Sequence, residues 1–297
     1  MIYICSMELQ ELEIYRSYRD RLGIKACDRG APVPVLLFEE IAGSFKTLFL
    51  DGFGTLYNLT EIHRKAPVVL NHLREQGCTL RLITNAASRS PLHLKAHLDS
   101  IGIHFELEEI ISSGSLLEFA MNRIQIHSAF HLGRSEADGY LLSAGIRIAE
   151  HPAEPVVVIS SGVPGKNDRI NHARDILRAP GSMLVVLNPD AWAPKTDGTR
   201  IPVSGSLAWQ LQQETSCQIE FFGKPFRDIY QRALATVHEN PGEVLMIGDT
   251  LGTDILGGRA SGIKTALVLG GNSTWDSVHQ DEADLGIYPD FYLESLL

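Results

Sequence analysis

Short apolar runs alternate with amphipathic segments along most of the 297-residue chain. The runs are short enough for buried strands, and the segments between them have the length of ordinary helices. The predicted strands are 47–51, 79–84, 110–111, 243–249 and 264–269. The predicted helices are 67–76, 91–100, 115–123, 228–238 and 254–261. This alternation predicts βαβ units and a doubly wound, parallel α/β sheet.

A second block of the same kind interrupts the first. Its clearest apolar runs are 156–160 and 182–188, and a helix is predicted over 168–177 between them. The first pattern resumes near residue 222. The expected domains are a core of residues 45–117 and 222–297 and an inserted α/β cap domain of residues 118–221.

The first part of the chain has a different pattern. Residues 7–22 place apolar side chains at helical spacing among charges, which predicts an amphipathic helix. Prolines in residues 31–35 break this pattern, and a short helix is predicted around 38–45. We therefore expect residues 1–44 to form an N-terminal helical extension.

Composition narrows the class of protein. A hydrophobic content of 44% and a charged content of 21% are typical of a globular chain. The net charge of −10 argues against a nucleic-acid partner, and no run approaches the ~20 apolar residues of a membrane span. The four cysteines (Cys5, Cys27, Cys78 and Cys217) form no CxxC pair. Their scatter favours a reducing, cytoplasmic location over a disulfide framework or a zinc site.

Polar side chains follow the first two predicted strands. Asp51 ends the first strand and precedes a Gly-rich turn, and Thr84 and Asn85 end the second. Ligands of open α/β sheets bind at the carboxyl ends of the strands. A hydroxyl, an amide and the N–H groups of the following turn could hold phosphate oxygens there.

Two later segments add the complementary charges. Lys224 lies in the run FFGKPF, where an ammonium would neutralise a phosphate. Asp249 ends a strand and Asp254 lies near the start of the next helix. Two carboxylates from separate strand ends suit Mg²⁺, which prefers oxygen ligands. Each segment alone also fits a turn or a helix cap, but the order of all four beside strands favours a phosphate site.

Together these segments resemble the motifs of the haloacid dehalogenase superfamily. The chain is similar to its class IIA phosphatases, the group of NagD and the p-nitrophenylphosphatases. The four motifs are Asp51-Gly52-Phe53-Gly54-Thr55, Thr84-Asn85, Lys224 and the run from Gly248 to Asp254. The resemblance extends from about Phe45 to the last residue. It implies a cap between the second and third motifs, in which Asn188-Pro189-Asp190 and Gly205-Ser206-Leu207 resemble the specificity segment.

The resemblance implies a Mg²⁺-dependent phosphatase that acts on a small phosphorylated metabolite, a sugar or nucleotide phosphate. Asp51 would attack phosphorus and form an aspartyl-phosphate. The implied phosphate-binding residues are Thr84, Asn85 and Lys224. The implied metal ligands are Asp51, the backbone carbonyl of Phe53 and Asp249, with Asp254 in support.

Phe53 departs from the family pattern, because an aspartate that acts as general acid and base usually stands there. Such catalysis contributes about 10²–10⁴-fold, so its loss should affect alkyl phosphates most. Three interpretations follow. In the first, another residue replaces the acid: His63, Asn58 or a cap residue such as Asp190. In the second, the enzyme is slow or specialised for activated phosphates. In the third, the protein binds a phosphorylated ligand without turnover.

Two other classes explain less of the sequence. A dinucleotide-binding oxidoreductase would need a third glycine after Gly52 and Gly54, and its acid would follow the glycines. A scaffold protein would leave the four polar strand ends unexplained. The sequence does not distinguish a monomer from a homo-oligomer.

Overall fold

The computed structural model describes residues 2–28, 30, 33–36, 40, 44–57, 65–162, 167–194, 200–269, 273–275 and 277–293. The larger of its sheets has seven strands: β1 (Val35–Leu36), β2 (Thr47–Leu50), β3 (Thr79–Thr84), β4 (Ile110–Ser112), β12 (Val244–Gly248), β13 (Lys264–Val268) and β14 (Phe291–Leu293). All pairings are parallel, in the order β1-β14-β13-β12-β2-β3-β4. The associated helices are α1 (Ile2–Arg21), α2 (Ala66–Glu75), α3 (Pro91–Ser100), α4 (Leu116–Ile124), α8 (Arg227–Leu234), α9 (Leu256–Ala260) and α10 (Val278–Leu285). The predicted parallel α/β sheet is thereby confirmed.

Both faces of this sheet are buried, as its continuous apolar strands require. In β2, Phe49 belongs to an apolar cluster with Leu117 of α4 and Tyr230 of α8. Its neighbours Leu48 and Leu50 point to the other face, where they join residues of α2 and α3. Burying such a side chain contributes about 1.5–3 kcal/mol, so β2 is held firmly where its last residue meets Asp51.

A separate sheet lies between β4 and β12 in the sequence. Its strands are β5 (Ser128–Leu132), β6 (Arg147–Ile148), β7 (Val156–Ile159), β8 (Met183–Val186) and β11 (Gln218–Phe221). They pair in parallel in the order β11-β8-β7-β5-β6. A short antiparallel hairpin, β9 (Trp192–Pro194) and β10 (Arg200–Pro202), follows β8. The helices of this part are α5 (Asp138–Ser143), α6 (Asn167–Leu177) and α7 (Ser204–Thr215). The domain limits at residues 118 and 221 stay a prediction.

The N-terminal part differs from the expectation in one respect. The amphipathic helix is present as α1, but the proline-containing segment after it adds an unpredicted edge strand, β1, which pairs with β14. The short helix predicted around 38–45 falls largely outside the described residues. None of the helices in the described ranges is long and apolar enough to cross a membrane.

The helix predicted over 254–261 begins later than expected. A wide π-type turn spans Leu251–Ile255, and α9 starts at Leu256. The buried hydroxyl of Tyr230 donates to the backbone oxygens of Thr253 (3.1 Å) and Asp254 (3.3 Å), which accompanies the wider turn. The consequence for the site is that Asp254 is held by this turn instead of by a regular helix.

Candidate active site

The predicted polar residues follow three adjacent strands of the larger sheet. Asp51 follows β2, Thr84 is the last residue of β3 and Asp249 follows β12. Because β2 lies between β12 and β3 and the three run parallel, these side chains lie at one edge of the sheet.

One cavity of about 360 Å³ opens at this edge. All seven residues predicted for the site line it: Asp51, Phe53, Thr84, Asn85, Lys224, Asp249 and Asp254. Residues from the part of the chain between β4 and β12, which contains the second sheet, also line the cavity, among them Asn188 and Asp190. The cavity therefore lies between the two parts of the molecule.

Three carboxylates form the charged centre of the cavity. One oxygen from each of Asp51, Asp249 and Asp254 lies within 4.8 Å of the others, and all three residues are buried. Gly54 permits this approach, since its φ is +96° and a Cβ there would lie 2.1 Å from Oδ2 of Asp249. A set of carboxylate oxygens is what hard divalent cations prefer. These residues fit such a cation.

Lys224 is buried beside two of these carboxylates. Its Nζ contacts Oδ1 of Asp51 and lies 2.7 Å from Oδ1 of Asp254. Burial alone would lower the pKa of Lys224, but Asp254 and Asp51 outweigh it and raise that pKa well above its usual value. Burial in turn raises the pKa of Asp254 to about 7, although Lys224 opposes the shift. One ammonium therefore balances the three carboxylates incompletely, and a cation would complete the balance.

Asn85 connects the core to the second sheet's segment. Its Nδ2 donates to Oδ1 of Asp190 (2.7 Å) and to the backbone oxygen of Lys224 (2.9 Å). Its Oδ1 accepts from the backbone N–H of Lys224 at 2.7 Å. The side-chain amide thus orders Lys224 and Asp190, and a phosphate contact of Asn85 stays a prediction.

The aromatic ring of Phe53 lines the cavity where an acid was expected. It meets the ring of Tyr57 edge-on, with 6.1 Å between the centroids. Burial raises the pKa of Tyr57 far above its usual value, so its hydroxyl stays protonated. Asn58 and His63, two candidate replacements for the acid, lie outside the described residues.

Asp190 is the candidate replacement that the structure describes. It lines the cavity, and burial raises the pKa of its carboxyl to about 7, with Lys224 and Asn85 opposing. Its backbone oxygen accepts from the N–H of Gly205 at 2.9 Å. A Cβ at Gly205 would lie 2.2 Å from the oxygen of Pro189, so the start of α7 packs tightly behind this peptide.

The cavity also contains residues that the sequence reasoning missed. Arg89 and Arg134 bring positive charge, and His97 and Ser161 add further polar groups. Arg134 follows β5, so the rule that found Asp51 would have found it had β5 been recognised. Arg89 lies four residues beyond Asn85 in a polar loop, where no local signal distinguishes it from a solvated arginine.

Models of known families match two parts of the chain. Residues 48–147 match a family described as haloacid dehalogenase-like hydrolase, and residues 221–297 match one described as HAD-hydrolase-like. The matched parts contain all four motifs. Together with the parallel α/β sheet and the acidic strand ends, these matches show that the chain belongs to the haloacid dehalogenase superfamily of hydrolases.

Individual relatives agree with this assignment. Chronophin of Mus musculus is 27% identical over 270 residues, which are 86% of this chain and 92% of that protein. A possible sugar phosphatase of the superfamily from Cytophaga hutchinsonii is 27% identical with a TM-score of 0.81, over 89% of this chain and 99% of that one. A glycerol phosphate phosphatase from Mycobacterium tuberculosis, solved in complex with calcium, is 25% identical with a TM-score of 0.70, over 86% and 74% of the two chains. The similarity to class IIA members is confirmed, and Phe53 is a departure seen in this chain.

Proposed function

We propose that this protein is a Mg²⁺-dependent phosphatase that acts on a small phosphorylated metabolite, a sugar or nucleotide phosphate. The observation that carries the proposal is the buried cluster of Asp51, Asp249 and Asp254 around Lys224. Two of the similar structures are named as a possible sugar phosphatase and a glycerol phosphate phosphatase, and this cluster has the groups that phosphate hydrolysis needs.

Asp51 is the proposed nucleophile. Its carboxylate oxygen attacks phosphorus, the bond from phosphorus to the ester oxygen breaks, and the electron pair leaves with that oxygen. Water then attacks phosphorus, releases phosphate and restores Asp51. Thr84 and Lys224 hold the phosphoryl oxygens during both steps, and preorganised charge of this kind is a main source of rate enhancement.

Mg²⁺ is the proposed metal, held by Asp51, the carbonyl of Phe53 and Asp249, with Asp254 in support. When bound, it neutralises negative charge on the carboxylates and on the phosphate. Asp254 accepts a hydrogen bond from the backbone N–H of Thr250 (3.1 Å) and forms an ion pair with Lys224 (2.7 Å), so it contacts both neighbours of the site.

The proton for the leaving oxygen is proposed to come from Asp190. A general acid has to be protonated near the working pH and has to reach the substrate. Asp190 lines the cavity, and burial raises its pKa to about 7. Its Oδ1 accepts from Asn85, which leaves Oδ2 to carry the proton.

Residues 118–221 are proposed to act as the cap, which closes over the strand ends and excludes water. A cytoplasmic location and the lack of nucleic-acid or membrane partners belong to the same proposal.

Binding of a phosphorylated ligand without turnover is the second candidate function. Phe53 favours it, because the usual acid is missing from the first motif. In that case the three carboxylates and Lys224 would hold metal and phosphate, and no phosphate would be released.

A hydrolysis screen with Mg²⁺ over alkyl, aryl and acyl phosphates separates the two candidates. We expect release of phosphate from at least the aryl and acyl compounds, and loss of that release in Asp51→Asn, which keeps the shape of the side chain. Binding of the same compounds by calorimetry without any release would establish the second function instead.

A further inference from the structure

The helix α1 contacts a part of the cavity wall. Its residues Ile14, Tyr15 and Tyr18 are buried in one apolar cluster with Ala191 and Trp192. These last two belong to residues 188–192, called the 188–192 segment below, which also contains Asp190. Residues 1–44 lie outside the family motifs, so the motifs do not explain this contact.

Two tyrosine hydroxyls bond to the peptides on either side of Asp190. The hydroxyl of Tyr18 donates to the backbone oxygen of Pro189 at 3.0 Å. The hydroxyl of Tyr15 accepts from the backbone N–H of Ala191 at 3.4 Å. Burial raises the pKa of both phenols far above the usual value, so both keep their protons at any pH of interest. Asp190 is therefore bracketed by two neutral hydroxyls from α1.

The two rings are placed by close packing. A Cβ at Gly252 would lie 2.2 Å from the ring of Tyr15, so this ring lies directly against the backbone after the fourth motif. The ring of Tyr18 meets those of Phe221 and Phe226 edge-on, each at 5.1 Å between centroids. Phe221 ends β11 and Phe226 precedes α8, so Tyr18 packs where the chain returns to the core.

Polar contacts anchor the same helix to both parts of the molecule. On the core side, Arg19 donates to the backbone oxygen of Leu285 in α10 at 2.6 Å. On the other side, Glu11 pairs with Arg200 of β10. Because α1 is fixed to α10 and to the hairpin at once, movement of the 188–192 segment away from the core has to break contacts with α1.

We propose that Tyr15 and Tyr18 are positioning residues of the active site, which hold the 188–192 segment so that Asp190 stays in the cavity against Asn85. Neither tyrosine touches the reacting atoms. They act through the backbone of Pro189 and Ala191, and the carboxyl of Asp190 completes the connection with its 2.7 Å bond to Asn85. The expected effect of these tyrosines on catalysis rests on the proposed phosphatase function. Their expected effect on the order of the 188–192 segment does not.

Amide exchange tests the structural consequence without any assay of activity. In Tyr15→Phe the ring remains but the acceptor for the N–H of Ala191 is lost, so exchange in the 188–192 segment should become about fivefold faster, the effect of one typical hydrogen bond. The double variant Tyr15→Phe/Tyr18→Phe should exceed this. Ser17→Ala is the matched control, because it removes a hydroxyl of α1 that donates to Ile14 within the helix.

Kinetics with glycerol phosphate and p-nitrophenyl phosphate test the consequence for catalysis. The double variant should lose about tenfold in kcat/KM on the alkyl ester and less on the aryl ester, since only the alkyl leaving group depends on a well-placed proton donor. Ser17→Ala should leave both unchanged. Structural damage alone would lower kcat/KM equally for both substrates.

Unchanged exchange in the 188–192 segment of the double variant would overturn the proposal, whatever the activity. Faster exchange with equal losses on both esters would also overturn it, because Asp190 would then not be what the tyrosines position. If the wild-type protein hydrolyses no phosphate, the phosphatase function fails, and the exchange result alone decides whether the tyrosines hold the segment.

Discussion

The core and the cap contribute to the cavity in different ways. Core residues such as Asp51 and Asp249 lie next to the ends of adjacent strands, whose hydrogen bonds fix their positions. Asp190 comes from a connection between β8 and β9, and its carboxyl reaches the core through Asn85. The core therefore supplies fixed charges, which suit the proposed metal and phosphate. The proposed cap supplies a group whose position depends on a few contacts, as expected for a part that would select substrates.

The largest expected effect comes from a variant that restores the missing acid to the core. With no acid at Phe53, the proposed proton donor is Asp190, whose position in the cavity depends on a few contacts, so the rate should still depend strongly on the leaving group. Phe53→Asp should raise turnover of alkyl phosphates more than that of p-nitrophenyl phosphate, by at most about 10²–10⁴-fold. Steady-state rates on both esters measure it.

Phe53→Asn is the matched control, since it has the same shape without an acid. It should give no selective gain on the alkyl ester. Equal wild-type rates on alkyl and aryl phosphates would contradict the prediction and would indicate that Asp190 already delivers the proton as well as an acid at position 53 would.

The next effect concerns the fixed charges of the core. Asp249→Asn should abolish the thermal stabilisation that Mg²⁺ gives, which for a site at 100 times its Kd is about 2.7 kcal/mol. The exposed variant Asp175→Asn, whose partner is Arg178, serves as control. Calorimetry that shows undiminished Mg²⁺ binding by Asp249→Asn would remove this residue from the metal site.

The same difference between core and cap decided what the sequence could predict. The core strands β2, β3, β4, β12 and β13 were recognised because they are largely buried and read as apolar runs, as in TLFL of β2, whereas the edge strands β1 and β14 were not. Polar residues stand at or just after the ends of β2, β3 and β12, so Asp51, Thr84 and Asp249 could be placed at one edge of a sheet from local pattern alone.

In the proposed cap, β7, β8 and the helix between them were predicted from their pattern, but other parts were missed for physical reasons. The buried strand β5 contains His131, whose ring nitrogens form hydrogen bonds with Asp138 (2.6 Å) and Ser160 (2.8 Å). Because a polar residue interrupts it, the apolar pattern does not predict this strand. The role of Asp190 depends on partners about 105 residues away in the chain, such as Asn85, and spacing carries no signal for that. The contact of α1 with the 188–192 segment is equally distant in sequence.

A smaller effect tests the proton donor in the cap. Asp190→Asn keeps an acceptor for Asn85 but carries no acidic proton, so it should lose up to about 10²-fold on alkyl phosphates and little on aryl phosphates. Since the pKa of Asp190 is raised to about 7 in the fold, the wild-type alkyl rate should fall as pH rises through about 7. The variant should lack this decline. The charged groups that act on Asp190 are Lys224, Asp51 and Asp254.

Stability should also fall as pH rises, because it depends on the same raised pKa of Asp190. A carboxyl whose pKa is raised by folding binds its proton more tightly in the native state, so the wild-type protein loses stability as pH rises from the ordinary carboxyl range to about 7. Asp190→Asn should flatten this part of the curve, measured as Tm against pH. A wild-type alkyl rate that does not decline through pH 7 would exclude Asp190 as the acid.

The smallest effect concerns a contact between core and cap that takes no direct part in proton transfer to the leaving group. The hydroxyl of Ser161 accepts from the backbone N–H of Ala87 (3.1 Å) and from Nδ2 of Asn188 (2.8 Å), so it joins the loop after β3 to the 188–192 segment. Ser161 is half-buried, and water can replace it for both donors, so Ser161→Ala should cost about 1 kcal/mol, or about fivefold in kcat/KM. Because the hydroxyl holds Asn188, and so the segment that contains Asp190, alkyl esters should lose more than aryl esters. Equal losses on both esters would show that this contact does not position Asp190, and Tyr15 and Tyr18 alone would then hold the proton donor in place.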